Sequence, residues 1–235
     1  MAAAESFRET SEAWDRVHSD RRWNVWIPAE DVARFAARHL FQRMGPREIE
    51  PRRPRGPILD LGCGVGRHLV FFASLGYDVF GIDVSPEALE SSQRWLEREG
   101  LAAQLKVASV DSLPAPDDHF MAAVSHGVLD HVTLEEAYAA GRELRRVLQP
   151  GGLVHVSLRM RGSFDWGVGE EIEPGTFRLA EGHERGLPQH FWTEDEVETL
   201  LEGFQILDWE TDKRQLGRGS ERFDVRCAVS ARPEA

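Results

Sequence analysis

The segment Ile58-Leu59-Asp60-Leu61-Gly62-Cys63-Gly64-Val65-Gly66 decides the fold class of this 235-residue chain. A short apolar run ends in an acid, and glycines follow at three alternate positions. The apolar residues within 69–73 come next with helical spacing, so the segment predicts a strand, a tight turn and a helix. Glycine lets the backbone turn sharply without a Cβ, so a ligand can lie against main-chain amides. The pattern predicts a nucleotide-type site at the carboxyl end of a strand, where open α/β sheets bind their ligands.

Acids also follow the next two predicted strands. The strand at residues 77–82 is followed by Asp83, which comes 21 positions after Gly62. That spacing places a carboxylate beside the glycine loop, where it can accept both hydroxyls of a ribose. Residues 105–110 predict a third strand, with Asp111 at its end. Three successive strand ends that each carry an acid predict one binding edge.

Composition is that of a soluble globular protein. The chain is 41% hydrophobic and 29% charged, and its length fits one α/β domain. It has no apolar run of about 18 residues and no basic start followed by an apolar core. We therefore expect no membrane span and a cytoplasmic location. Two cysteines, Cys63 and Cys227, give neither a disulfide framework nor a zinc spacing.

Charge argues for a small-molecule partner. The net charge of −12 disfavours a long polyanion, because phosphate contacts require clustered Lys and Arg. The basic clusters at residues 52–55 and 142–146 are interpreted as solvated charge. We expect neither a nucleic acid nor a membrane as partner, and the oligomeric state is left open.

One domain with four parts is expected over residues 1–235. These parts are an N-terminal helical cap or lid (1–50), a cofactor-binding core (55–160), a substrate-side loop (161–190), and a helix with the final strand pair (191–235). Residues 1–27 are predicted to be irregular, and a helix is predicted from Pro28 to about Met44. Its apolar stripe contains Val32, Phe35, Ala36, His39 and Leu40. The tryptophans Trp14, Trp23 and Trp26 either form a lid over the ligand or pack the helix onto the sheet.

Capping signals place the remaining elements. Ser85-Pro86-Glu87 predicts a helix start, and capping boxes begin at Thr133 and Thr193. Buried strands are predicted at 120–125 and 153–158, and the strands at 205–209 and 223–230 predict a closing antiparallel hairpin. The loop 161–190 is long enough to suggest a function. The predicted fold is α/β: a Rossmann-like, doubly wound, seven-stranded sheet, mostly parallel with a C-terminal antiparallel hairpin and helices on both faces.

These motifs resemble the class I S-adenosylmethionine-dependent methyltransferases. Residues 60–66 resemble the family's first motif, residues 81–85 its second, and residues 144–152 its helix-to-strand turn. The resemblance implies S-adenosyl-L-methionine as cofactor, Asp83 as the ribose acid and Asp111-Ser112 beside the adenine. The implied cofactor-binding residues are Asp60, Gly62, Cys63, Gly64, Gly66, Asp83, Val84, Asp111, Ser112 and Ser125. A narrower resemblance, through Gly66-Arg67-His68, residues 75–79 and residues 188–193, is to small-molecule enzymes of the tellurite-resistance and thiopurine type.

Glycine spacing disfavours the dinucleotide alternative. In a nicotinamide-binding loop the third glycine comes three residues after the second, so that a helix N-terminus meets a pyrophosphate. Here Gly66 comes only two residues after Gly64. The motifs of nucleic-acid methyltransferases are also missing, since the fourth strand runs into Ser125-His126-Gly127-Val128.

Histidines are the candidate catalytic residues. Methyl transfer is an in-line displacement for which positioning alone is worth up to about 7–11 kcal/mol. A general base adds roughly 10²–10⁴-fold where the acceptor must lose a proton, whereas a thiolate or reduced chalcogen needs none. His126, His131 and His190 are the catalytic candidates, and Trp26, His126 and His190 are expected to contact the substrate. Asp130 beside two histidines superficially suggests a metal site but lacks a recognised spacing, so no metal is expected.

Two other functions stay open at this stage. One is a non-catalytic, methyltransferase-like partner subunit, which the intact Asp60, Asp83 and Asp111 argue against. The other is transfer of a different group, such as aminopropyl from the decarboxylated cofactor. That reaction would require acids near the added amine, and Glu170, Glu171 and Glu173 are available in the long loop.

Overall fold

A computed structural model describes residues 2–20, 22, 24–45, 48–217 and 220–234. Its helices are α1 Ala2–Ser19, α2 Glu30–Phe35, α3 Arg67–Ser74, α4 Pro86–Glu99, α5 Leu134–Val147 and α6 Glu194–Leu200. Its strands are β1 Phe41–Arg43, β2 Ile49–Pro51, β3 Ile58–Leu61, β4 Val79–Asp83, β5 Gln104–Val107, β6 Phe120–His126, β7 Leu148–Arg159, β8 Glu170–Glu173, β9 Thr176–Arg178, β10 Pro188–His190, β11 Phe204–Gln215 and β12 Phe223–Pro233.

The central sheet has seven strands in the order β11-β12-β7-β6-β3-β4-β5. β3 pairs in parallel with both β4 and β6, and the parallel pairing continues to β5 on one side and β7 on the other. β12 lies antiparallel to β7 and to β11. The predicted mixed, doubly wound sheet is therefore confirmed. The strand order reverses between β3 and β6, which creates the crevice where such sheets bind ligands.

Side chains alternate between two apolar layers that cover the sheet. On β3, Ile58 packs in the layer with α2, α3 and α4, whereas Leu59 and Leu61 pack in the layer with α5 and α6. The same alternation holds on β6, where Ala122 and Val124 face one layer and Ala123 faces the other. Strands buried on both faces carry continuous apolar runs, which is why this part of the chain was predictable.

The N-terminal segment differs from its prediction. Residues 2–19 form α1 instead of irregular chain. Half-buried residues recur at helical spacing along one face, at Phe7, Ser11, Trp14 and His18. This face is aromatic and polar rather than aliphatic, so the usual apolar periodicity is absent, and packing on α4 stabilises the helix. Trp23 lies outside the described residues.

The helix predicted from Pro28 to about Met44 is much shorter than expected. α2 ends at Phe35 and continues as one π-helical turn, Ala36–Leu40, before the chain enters β1. Four of the five residues of the predicted stripe are buried, namely Val32, Phe35, Ala36 and Leu40. The fifth, His39, is half-buried and lies 2.6 Å from an oxygen of Asp208.

Residues 161–190 are not an unstructured loop. They contain β8, β9 and β10, which form a three-stranded antiparallel sheet in the order β10-β9-β8. Short strands between glycine turns show little periodicity, so the sequence pattern did not reveal them.

Other boundaries follow the local signals closely. Both predicted capping boxes are present, at Thr133 and Thr193, and the Ser85 hydroxyl accepts from the Ala88 amide. The third strand is shorter than predicted and ends at Val107, so Asp111 lies four residues beyond it. Among the described helices, none has the length and apolarity that crossing a membrane requires.

Candidate active site

The glycine loop (residues 62–66) is tightly packed where β3 ends. Gly62, Gly64 and Gly66 have φ angles of 69°, 51° and 94°, a region in which a Cβ is strained. A Cβ on Gly62 would lie 2.5 Å from both methyl carbons of Val128, and one on Gly66 would lie 2.8 Å from the Ser92 hydroxyl. Packing therefore excludes a Cβ at Gly62 and Gly66, whereas Gly64 is favoured by its positive φ alone.

Asp83 ties this loop to β4. One carboxylate oxygen accepts from the Gly64 amide at 2.8 Å and the other accepts from the Ser85 amide at 2.9 Å. Burial raises the pKa of Asp83, while His18 and the two amide donors oppose the rise. The predicted proximity of Asp83 to the glycine loop is thus present, and its contact with a ribose stays a prediction.

Two buried polar atoms at the crevice have unused hydrogen-bonding capacity. Asp60 is 2% exposed and Ser125 is 1% exposed. Within the described part of the chain, Asp60 Oδ2 and the Ser125 hydroxyl have no hydrogen-bond partner. They lie on adjacent strands, where Asp60 pairs with Val124 and Leu61 with Ser125, so the two side chains point to opposite faces of the sheet. Unpartnered buried oxygens are costly, so each indicates a position at this sheet edge where a ligand can donate a hydrogen bond.

Of the other predicted cofactor residues, Cys63 and Val84 lie near the glycine loop, whereas Asp111 and Ser112 lie in a different turn. Cys63 is buried, and burial raises the pKa of its thiol well above the usual value, so it acts as a neutral packing group. Val84 is half-buried next to Asp83. Asp111 and Ser112 are exposed in the turn after β5.

His126 lies at the crevice within a polar network. It ends β6, one residue after Ser125, and therefore lies beside the glycine loop. Its Nδ1 is 3.2 Å from Asp31 Oδ2, and the same oxygen is 3.2 Å from Nε2 of His155. Its ring meets that of His68 edge to face, with centroids 5.6 Å apart. No local sequence signal identified Asp31 or His155, because they are separated from their partners by up to 124 residues.

His190 and His131 occupy different surroundings. His190 is 1% exposed, bonds Thr176 Oγ1 at 2.7 Å and lies 3.5 Å from Glu196. His131 is buried, and its Nδ1 lies 2.9 Å from the Pro188 carbonyl. The predicted catalytic roles of His131 and His190 stay predictions.

Trp26 is also separate from His126. It is 40% exposed and packs edge to face on Trp95 of α4. With His18 and Arg94 it lines a groove of about 700 Å³ along α4. Its predicted contact with the substrate stays a prediction.

Asp130 has a structural role. One of its oxygens accepts from the backbone amide of Arg159 at 2.9 Å and from the Trp192 indole at 3.1 Å. Across the described ranges, no group of three or more His, Cys, Asp or Glu side chains is arranged to hold a metal ion.

α1 covers the glycine loop. A Cβ on Gly64 would lie 3.4 Å from the His18 ring, and burial lowers the pKa of His18 against the opposing effect of Asp83. Trp14 lies between His18 and His131, with ring centroids 5.6 and 5.1 Å away. Three aromatic rings therefore span the cleft, from the β4 side to the β6 side.

Two further contacts hold α1 in this position. Asp15 accepts from the Ser85 hydroxyl at 2.6 Å and from the Glu87 amide at 3.2 Å, at the start of α4. Arg16 donates to the carbonyl of Arg185 in the 161–190 segment. A carboxylate at the positive end of a helix is favourable, so α1 is fixed at both sides of the cleft.

The segment from β3 to the beginning of β7 is similar to known proteins. Residues 58–152 match the family described as "Methyltransferase domain". The chain contains a methyltransferase domain. This domain holds the glycine loop, Asp83 and His126, and the elements outside it supply α1, Asp31 and the small sheet.

A solved structure extends the likeness across most of the chain. The S-adenosylmethionine-dependent methyltransferase from Methanosarcina mazei is 27% identical, with a TM-score of 0.65, over 77% of this chain and 93% of that one. The expected resemblance to the class I S-adenosylmethionine-dependent methyltransferases is confirmed over residues 58–152. The narrower tellurite-resistance type stays a prediction, because TehB from Haemophilus influenzae is 17% identical with a TM-score of 0.63, over 91% of this chain and 65% of that one. That likeness shows the fold alone.

Two curated relatives match over about two fifths of this chain. An uncharacterized methyltransferase of Bacillus subtilis, YodH, is 34% identical over 43% of this chain and 42% of its own length. A ubiquinone biosynthesis O-methyltransferase of Cereibacter sphaeroides is 32% identical over 41% of this chain and 38% of its own length. The aligned part spans about two fifths of each relative.

Proposed function

We propose that this protein transfers a methyl group from S-adenosylmethionine to a small-molecule acceptor. The observation that carries the proposal is the pair of unpartnered oxygens, Asp60 Oδ2 and Ser125 Oγ, beside a glycine loop at the switch point of the sheet. The family likeness supports the same function.

Asp60 fits the ammonium end of the cofactor's amino-acid group. A primary ammonium donates hydrogen bonds, and the free Oδ2 of Asp60 can accept one of them. Asp83, which already orders the Gly64 amide, is the proposed acceptor for the ribose hydroxyls. When bound, the cofactor supplies a methyl group made electrophilic by the sulfonium.

A small acceptor fits the surroundings of the crevice. α1 crosses the cleft and is joined to the 161–190 segment by Arg16, so the space beneath has no open track for a polymer. The net charge of −12 also disfavours a polyanion. The Cereibacter relative is named as an O-methyltransferase of ubiquinone biosynthesis, which agrees with a small-molecule acceptor.

Among the predicted histidines, His126 is the proposed contact for the acceptor. It flanks the crevice beside Ser125, whereas His190 is held by Thr176 and Glu196 beneath the small sheet. We therefore assign His190 a role in supporting the 161–190 segment. Covering the crevice excludes water from the reacting centre.

Aminopropyl transfer receives no support from the acids of the long loop. Glu171 accepts from the amide of Gly175, and Glu173 accepts from the amide of Leu134 and the hydroxyl of Thr176. Both carboxylates contribute to local structure.

A turnover screen tests the proposal. The purified protein is incubated with methyl-labelled S-adenosylmethionine and a panel of phenols, carboxylic acids, amines and thiols. We expect S-adenosylhomocysteine to form together with one class of methylated product, and Asp60→Asn to abolish both at an unchanged melting temperature. Absence of cofactor binding by the folded wild-type protein would refute the proposal.

A further inference from the structure

One carboxylate joins the N-terminal cap to two histidines of the sheet. Asp31 Oδ2 lies 3.2 Å from Nδ1 of His126 and 3.2 Å from Nε2 of His155. The other ring nitrogen of His155 lies 3.1 Å from the Ser230 hydroxyl. These residues come from α2, β6, β7 and β12, so four elements converge on one polar cluster.

The hydrogen bonds determine which ring nitrogens carry protons. A carboxylate oxygen only accepts, so His126 must present N–H at Nδ1 and His155 must present N–H at Nε2. Burial opposes ionisation of Asp31, but the bonds from both histidines hold its pKa well below the usual range. Burial lowers the pKa of His126, although Asp31 opposes this. The cluster therefore places the Asp31 anion beside a neutral His126 ring.

The two histidines differ in what their remaining nitrogen can reach. His155 accepts from Ser230 with its Nδ1, and its side chain is 4% exposed. Nε2 of His126 carries a lone pair that can accept a proton, and the side chain of His126 is 17% exposed at the crevice. Only His126 is free to act on a ligand, and His155 completes the hydrogen bonding of the carboxylate.

We propose that Asp31 is a positioning residue that holds His126 as an Nε2 general base, and that the methyl acceptor is a hydroxyl compound. This inference rests on the proposed function. The acceptor O–H bond breaks and its proton passes to His126 Nε2, while the oxygen bonds the methyl carbon. The carbon–sulfur bond breaks, and its electron pair stays on the sulfur.

A hydroxyl is the acceptor that needs such a base. Thiols ionise near neutral pH, and a neutral amine already has a nucleophilic lone pair. An alcohol or phenol gains its nucleophilicity as the proton leaves, so a positioned neutral imidazole speeds its methylation by roughly 10²–10⁴-fold. Because α2 belongs to the N-terminal cap, the base is correctly oriented only when the cap is docked on the sheet.

Nitrogen NMR of the histidine rings tests the arrangement without turnover. At pH 7.5 we expect His126 in the Nδ1–H form and His155 in the Nε2–H form. Asp31→Asn should leave His126 with a mixture of tautomers. The matched control is Glu30→Gln, which removes a neighbouring carboxylate of α2 whose ion pair with Arg34 is exposed. A wild-type His126 protonated at Nε2 would overturn the proposal.

Kinetics on the acceptor panel test the role of the base. Asp31→Asn should lower kcat for a hydroxyl acceptor about 100-fold, with KM and cofactor affinity nearly unchanged, while Glu30→Gln keeps full activity. Turnover of thiols or amines without any hydroxyl compound would overturn the acceptor class, and unchanged kcat in Asp31→Asn would overturn the role of Asp31. If Asp31→Asn does not fold, His126→Gln replaces it with the same expected loss. Lack of cofactor binding by the wild type contradicts the proposed function instead, and the NMR result still decides the arrangement of the rings.

Discussion

Replacing Gly62 by alanine separates the two constraints on the glycine loop, which are backbone conformation and side-chain packing. Gly62 has a φ of 69°, and its added Cβ would meet both methyl carbons of Val128 at 2.5 Å. Valine has little freedom at χ1, so the contact cannot be relieved by a simple rotation. Gly100 provides the control, since its φ is 67° and no atom lies within 4 Å of its added Cβ.

The expected magnitudes follow from those two geometries. A left-handed conformation costs a non-glycine residue about 1–2 kcal/mol, which is the whole effect expected for Gly100→Ala. Forcing a methyl group into packed surroundings costs roughly a further 1–3 kcal/mol, so Gly62→Ala should lose about 2–5 kcal/mol of unfolding free energy. The double variant Gly62→Ala/Val128→Ala should recover the packing part relative to Val128→Ala alone.

Urea denaturation of the four variants measures these differences. Cofactor titration on the same samples should show that Gly62→Ala binds weakly and that Gly100→Ala binds like the wild type. If Gly62→Ala is no less stable than Gly100→Ala, the loop is not packed against Val128, and the reasoning from its geometry is wrong.

Three other outcomes are expected. Asp83→Ala should weaken cofactor binding by about 10- to 100-fold in calorimetry, because a charged hydrogen bond is worth roughly 1.5–3 kcal/mol; an unchanged Kd would mean that Asp83 does not bind the ribose. Amide hydrogen exchange should slow in residues 14–19 and 176–190 when S-adenosylhomocysteine binds, and equal rates would remove their role as a cover. Unfolding free energy should fall as the pH drops below about 6.5. Burial lowers the pKa of His18, His126 and His190, so below that pH the unfolded chain binds protons that the folded chain does not. His190→Gln should reduce the slope, and a pH-independent stability would contradict the assignment.

Local sequence signals predicted the core of the fold and the position of the loop. Ile58 to Leu61 form a strand that is buried on both faces, and its apolar run is visible without any tertiary information. The capping boxes at Thr133 and Thr193 depend on residues three apart, so they were readable directly. The glycines at alternate positions before α3 indicated a left-handed backbone conformation, which other residues rarely adopt.

Features that depend on distant contacts were not predictable. α1 is held by Asp15 at the start of α4 and by Arg16 at the 161–190 segment, which are contacts across 70 and 169 residues. The Asp31 cluster joins residues 95 and 124 positions apart. Neither set of contacts produces a periodic pattern in the sequence, because each contact needs only a single polar side chain.

His190 shows what local sequence leaves open. The short strand β10 carries it into the protein, where it contacts Thr176. Local sequence identified the neighbouring helix correctly and could not reveal which side of the small sheet His190 occupies.

Calorimetric titration of the wild-type protein with S-adenosylmethionine and with NAD⁺ distinguishes a methyl-donor site from a dinucleotide site. The free oxygen of Asp60 suits an ammonium, and the spacing of Gly62, Gly64 and Gly66 does not suit a pyrophosphate. We expect S-adenosylmethionine to bind with a Kd in the micromolar range and NAD⁺ to give no heat of binding. Micromolar binding of NAD⁺ with none of S-adenosylmethionine would contradict the account.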